Sequence, residues 1–287
     1  MKIFDVHSHW GTRRGYPLQS EAELAQQKRV WNSEPSYHSE DEMADYFRAQ
    51  GVKTILDFGF TKNLPLDKVK ALHDYGIEVQ AKHPDVIHGL WLQLHPSLGD
   101  AGVKEFERCI ASSKGFIGYM VSGAGMGKPA DDPVYRPYYD VSERAKRPVL
   151  VLVGYNGGGA GHPGGAGMIL DHCHPRYLDA LAAACPNLTI IAGRPAWPWQ
   201  DEMIAVLLHK PNVWYELHGW SPKYYTDALK HDIPRRLRNR TMFGADYPLF
   251  TYQRLVVDWR QLGYDDAVMQ KVMHGNAERL FGLEVDA

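Results

Sequence analysis

The sequence predicts a (β/α)8 TIM barrel built as a single domain over residues 1–287. Three observations predict it. Short apolar runs recur eight times, each followed by a segment of helical periodicity, and that alternation implies parallel βαβ units. A chain of 287 residues has the length one such barrel needs. No glycine-rich phosphate turn follows the first run, as an open dinucleotide-binding sheet would require.

The predicted strands, in order, are KIFDVH (2–7), KTILDFGF (53–60), IHGLWLQL (87–94), GFIGYMV (115–121), PVLVLVG (148–154), LTIIAG (188–193), VWYELH (213–218) and TMFGAD (241–246). Each is rich in β-branched or aromatic residues and short enough for a strand buried on both faces. Between them SEDEMADYFRAQ, VKEFERCIASS, RYLDALAAAC and DEMIAVLLHK carry the three-to-four spacing of amphipathic helices. Ser39 and Glu42 form a capping box before the first of these. The stretch 11–38 is too long for an ordinary βα connection and is expected to be an extended loop over the barrel mouth.

Net charge is −2, so no basic field points to nucleic acid or an anionic membrane. No apolar run approaches the roughly 18 residues of a membrane-spanning helix, and the N-terminus lacks a signal-peptide core. Cys109, Cys173 and Cys185 show no paired spacing, which favours free thiols. Together these read as a cytoplasmic protein acting on a small molecule, with neither nucleic acid nor membrane as partner.

Chemistry in such barrels sits at the C-terminal ends of the strands. Reactive residues collect there: His7 and His9 in DVHSHWG, His95 after the third strand, Arg194 after the sixth, His218 ending the seventh and Asp246 ending the eighth. Strand alternation puts His7 and His9 on one face with Asp5, and Glu216 and His218 on another. Barrel closure brings strand eight beside strand one, so Asp246 neighbours both histidines. Imidazole and carboxylate are zinc ligands, and a hydrogen-bonded histidine pair is the alternative.

DVHSHWG, HPRYLDALAAACPNLTII, PAWPW, KPNVWYELHGWSPKYY, FGADYP and HGNAERLFGL together resemble the amidohydrolase superfamily. The resemblance is to its amidohydrolase-related branch, which includes aminocarboxymuconate-semialdehyde decarboxylase, resorcylate-type decarboxylases and lactone hydrolases. It covers essentially the whole chain. It implies a divalent metal, zinc or manganese, held by the HxH pair, a histidine after strand five and an aspartate after strand eight. A further histidine after strand six contacts the metal-bound water. His7, His9 and Asp246 match this pattern as metal ligands. Leu152 and Arg194 stand where the other two histidines are expected. Leucine cannot bind metal and arginine keeps its proton, so the metal is expected to be weak or absent unless another ligand arrives. His218 is one substitute, or a group that hydrogen-bonds behind the site. His162, in the glycine-rich YNGGGAGHPGG loop, is a second, or an exposed loop histidine. The resemblance also implies a homodimer.

Arg194 offers a planar fork for a substrate carboxylate, or a salt bridge in the wall. Arg13 and Arg14 are further anion candidates, or solvated loop residues. Tyr155, Tyr247 and Phe250 are expected to line an aromatic-friendly pocket, with core packing the role of at least one. The glycine-rich loop lacks the GK[ST] of a phosphate-binding loop and is expected to let the chain approach substrate.

Three functions follow. The first is a metal-dependent hydrolase of a small carboxylated ring, lactone or amide. Here Asp246 exchanges a proton with a metal-activated water, and Arg194 orients the substrate. The second is a non-oxidative decarboxylase of an aromatic or muconate-type carboxylate, with Asp246 protonating the ring carbon. The third is a metal-free member that binds a ligand or uses acid–base chemistry alone, with catalysis at Arg194, His218 and Asp246.

Overall fold

The computed structural model describes residues 1–59, 63–92 and 94–283. Eight parallel strands follow one another in sheet order: β1 (Ile3–His9), β2 (Val52–Asp57), β3 (Ile87–Leu92), β4 (Phe116–Ser122), β5 (Val149–Leu152), β6 (Ile190–Gly193), β7 (Val213–Glu216) and β8 (Thr241–Met242). Hydrogen bonds between the segment after β8 and β1 bring the ends of the sheet together: Val6 N–H to the Phe243 carbonyl (3.0 Å), Asp246 N–H to that of His7 (3.1 Å) and His9 N–H to that of Tyr247 (2.7 Å). The structure is therefore the expected (β/α)8 barrel. Phe60 and Gln93, included in the predicted second and third strands, lie outside the described residues.

The strands are almost wholly buried because helices cover their outer faces and side chains fill the interior. The predicted helices form over Glu40–Gln50, Gly99–Ser112, Pro175–Ala184 and Gln200–His209. The Ser39–Glu42 capping box is made in both directions, and Gly51 ends that helix with a left-handed φ of 66°. The three cysteines are free and buried. No described helix is long and apolar enough to cross a membrane.

Two departures from the sequence reading matter at the barrel mouth. Residues 11–38 are not all loop, because Glu21–Trp31 forms a helix opened by a second capping box, Ser20 with Glu23. Its pattern is only weakly amphipathic, which hid it from a periodicity search. Gln27, Val30 and Trp31 of this helix face the cavity over the barrel. The later strands also end earlier than expected, so His218 lies two residues beyond β7 and Asp246 four beyond β8. Both sit on the turns that leave the barrel, where the chain is freer to aim them.

Candidate active site

β1 contains an extra residue. Asp5 pairs with Thr54 and Ser8 with Leu56, so three steps along β1 match two along β2. Asp5 stabilises the bulge from below: its carboxylate accepts the N–H groups of His7 (3.1 Å) and Ala245 (3.0 Å) and the Tyr252 hydroxyl (2.6 Å). Burial pushes its carboxyl up to about 6, against those hydrogen bonds. Asp5 therefore fixes β1 against the segment that follows β8 and does not line the cavity.

Above the bulge the register places His9 directly opposite Asp57, the last residue of β2. Asp57 bridges the two histidines. One oxygen meets His7 Nε2, and the other lies 2.9 Å from His9 Nδ1. His9 Nε2 is 3.0 Å from Asp246 Oδ1. Burial alone would lower the His9 pKa, but Asp57 and Asp246 outweigh it and raise it to about 10. His9 is thus an imidazolium between two carboxylates. Burial would raise Asp246, but His9, His218 and Arg194 hold it well below the usual carboxylate range.

A second chain of contacts runs beside the first. Glu216, the last residue of β7, binds His218 Nδ1 and accepts the His218 backbone N–H at 3.0 Å. Arg194 donates Nε–H to His218 Nε2 over 2.9 Å. Guanidinium is donor only, so Nε2 carries the lone pair and Nδ1 the hydrogen that Glu216 receives. Burial and then Arg194 lower the His218 pKa well below its ordinary value, leaving it neutral. Burial pushes Glu216 up to about 7, against the lowering effects of His7, the His218 N–H and Arg194. The His218 ring packs on that of His7 with centroids 3.8 Å apart, joining the two chains.

Arg194 and Asp246 also share a backbone signature, with φ of 76° and 60°. Non-glycine residues rarely adopt this region, and such strain concentrates where a side chain must be aimed. Both open onto a cavity of about 780 Å³ over the barrel mouth. Its wall includes His9, Leu152, Tyr155, Asn156, Trp220 and Phe250.

The structure thus gathers His7, His9, Arg194, His218 and Asp246 at one place, with Tyr155 and Phe250 on the cavity wall. Two expected contacts are not there. Tyr247 is buried among Tyr46, Phe47 and Tyr252 with its hydroxyl against Gly11, the core-packing role expected of at least one of the three aromatics, and it points away from the cavity that Asp246 lines. His162 stays on the rim and does not line the cavity. Tight turns close its loop on itself, His162 N–H to Gly159 and Gly165 N–H to His162, and the 21–31 helix holds it through Gln26 to the Ala160 carbonyl. Arg13 and Arg14 lie over Tyr37 and Tyr75. Asp57 escaped the sequence reading, although an acid closing the TILD strand obeys the same strand-end rule that identified its partners.

The residues 5–283 match the family model described as amidohydrolase. The chain belongs to the amidohydrolase family. No curated protein sequence matches it closely enough to count as a relative. Among solved structures it is similar to a 2,6-dihydroxybenzoate decarboxylase complexed with 2,6-dihydroxybenzoate (TM-score 0.75, 20% identity, covering 99% of this chain and 100% of that one). It is also similar to a dihydroxybenzoic acid decarboxylase from Polaromonas sp. JS666 with bound manganese and the inhibitor 2-nitroresorcinol (0.68, 17%, 98% and 97%). A third is 5-carboxyvanillate decarboxylase from Sphingomonas paucimobilis (0.67, 15%, 99% and 99%). At these identities the likeness is one of fold.

A family member of this kind raises the question of a metal. Candidate ligands exist at the barrel mouth: His7, His218 and Asp246 bring three donor atoms within 4.8 Å of one another, as do His7, His9 and Asp57. The set nevertheless departs from a metal sphere at three points. Both His9 nitrogens face carboxylate oxygens, the His218 Nε2 lone pair is taken by Arg194, and the strand-five position is Leu152. A divalent ion beside the Arg194 guanidinium would also meet like-charge repulsion. These donors do not fit a resident divalent ion.

Proposed function

We propose that this family member is a non-oxidative decarboxylase of a small aromatic carboxylate. The observation that carries the reading is that Arg194 and the His9–Asp246 pair open on one cavity whose remaining walls are largely apolar. A volume of about 780 Å³ lies in the range of small-molecule sites and admits a substituted ring. Among the described residues the terminal nitrogens of Arg194 have no hydrogen-bond partner, since only Nε is engaged. They present a fork to a carboxylate. Leu152, Tyr155, Trp220 and Phe250 supply flat and apolar contact for the ring. The similarity to decarboxylases of hydroxylated benzoates supports the same substrate class.

The chemistry needs one proton per turnover. Arg194 holds the substrate carboxylate, and the ring carbon that bears it faces Asp246. The proton shared between His9 Nε2 and Asp246 Oδ1 passes to that carbon and a C–H bond forms. The C–C bond then breaks, its electron pair returns to the ring, and carbon dioxide leaves. Solvent reaching the partly exposed His9 edge restores the proton, so carboxylate plus proton becomes arene plus carbon dioxide.

The test is release of labelled carbon dioxide from carboxyl-labelled hydroxybenzoates, run beside hydrolysis of a panel of carboxylated lactones. Carbon dioxide release that falls at least about hundredfold in Arg194→Met and in Asp246→Asn supports the reading. Lactone hydrolysis without carbon dioxide release overturns it and returns the site to the hydrolase alternative.

A further inference from the structure

We infer that Arg194 supplies, as a fixed positive charge, the cation of this site, so that the site is complete without a divalent ion. The inference rests on the proposed use of this cavity but concerns how its charge is supplied.

Its geometry is built around Glu216. The register aligns Leu152 of β5, Gly193 of β6 and Glu216 of β7 in one layer. A Cβ at Gly193 would lie 2.7 Å from Glu216 Oε1 and 2.9 Å from Leu152 Cδ2, while one at Gly244 would press on Glu216 Oε2 and His218 Cβ. Two glycines therefore leave a slot for one buried carboxylate. That carboxylate fixes His218 by side chain and backbone, and His218 in turn holds Arg194 Nε. The chain from Glu216 to His218 to Arg194 uses every nitrogen of the imidazole. A ligand to a metal needs a free lone pair, and His218 has none left.

The position of the guanidinium is equally determined. Arg194 donates its backbone N–H to the Glu216 carbonyl at 3.0 Å and turns through a φ of 76°. At Gly219 a Cβ would touch Asp246 Oδ2 (3.3 Å) and Arg194 Cζ (3.7 Å), so the charge sits across one glycine from the Asp246 carboxylate. Arginine stays protonated at any working pH, so this charge is permanent. Leu152 gives the strand-five wall an apolar contact in place of a ligand.

The test measures metal in the intact protein, produced without chelator in medium containing manganese and zinc. Wild type is expected to carry below about a tenth of an equivalent, and Arg194→Met or Leu152→His with Arg194→His about one, because His218 is freed or new ligands are added. Calorimetric titration with manganese alone should show the same order, with at least about a tenfold gain in affinity in the variants. About one equivalent in wild type, lost in His7→Ala with His9→Ala, overturns the inference. Failure of both Arg194 variants to gain metal also overturns it, since Arg194 then is not what keeps an ion out. Metal content is read without turnover, so an absence of carbon dioxide release removes the decarboxylase reading and leaves this result standing. Circular dichroism establishes that each variant is folded.

Discussion

Arg194 and His218 meet through one hydrogen bond, Nε–H to Nε2 at 2.9 Å, and Glu216 fixes the other side of the imidazole. The contact turns a flexible side chain into a rigid cation at the edge of the cavity. It also leaves the two terminal guanidinium nitrogens without a hydrogen-bond partner among the described residues. The histidine here acts through the arginine it positions.

The aiming of Arg194 carries a backbone cost that can be measured. A left-handed φ on a non-glycine residue costs of order 1–3 kcal/mol, and glycine relieves it while alanine does not. Arg194→Gly should therefore be more stable than Arg194→Ala by about 1 kcal/mol in urea unfolding. Both should lose substrate turnover by at least about hundredfold. Equal stability of the two variants would show that the turn is unstrained.

Asp57 is expected to matter as much as the residues that stand out in the sequence. It is buried and bridges His7 and His9, so Asp57→Asn takes the bridging carboxylate from both imidazoles and leaves His9 with Asp246 alone, while keeping the shape. Breaking a buried pair in this way costs about 3 kcal/mol. A double-mutant cycle with Asp246→Asn should show coupling, because both carboxylates act on His9. Independent, additive effects would separate the two acids and break the proposed charge network.

How much of this was legible in the sequence follows from which signals are local. The barrel was legible because eight strand–helix alternations repeat one period change, and strand adjacency then placed Asp246 beside the HxH pair. Asp57 was not, because a single acid ending a strand looks like any turn residue until register sets it opposite His9. Of the three aromatics expected at the pocket, Tyr247 is the one that packs in the core, because it follows the cavity-facing Asp246 and points the other way. The helix at 21–31 was missed because the face it covers is largely polar, with Glu23, Gln26 and Gln27 beside Leu24 and Val30. His162 was left between a reaching ligand and a loop histidine because glycines suggest freedom, whereas these glycines form tight turns that tie the loop down.

A cluster outside the site sets an acid limb on stability. Glu105 is bound by Arg108 and His73 and contacts Cys109 on the outer wall between two helices. Burial raises its carboxyl, but these partners prevail and lower it from 4.5 to about 2. A depressed folded pKa contributes stability that is present above the unfolded value and lost as pH falls toward the folded one. Wild type should thus lose stability between about pH 4.5 and pH 2, and Glu105→Gln should lose less across that window while being weaker at neutral pH. Parallel curves for the two proteins would sink this assignment.

The two glycines beside Glu216 provide the sharpest check on the positioning of Arg194, because neither lines the cavity. Neither has a positive φ, so alanine meets only a packing problem there. In Gly193→Ala the new methyl lies 2.7 Å from Glu216 Oε1 and 2.9 Å from Leu152 Cδ2, and one of them must move. Overpacking of this size costs about 1–3 kcal/mol. If Glu216 moves, His218 loses its anchor and Arg194 its fixed direction, so KM for the carboxylate should rise while kcat falls. Adding Leu152→Ala removes the apolar half of the clash and should restore part of the stability. It leaves the clash with Glu216, so substrate binding should stay impaired. Full recovery of binding in the double variant would mean that Leu152, and not the Glu216–His218 arm, is what holds Arg194 in place.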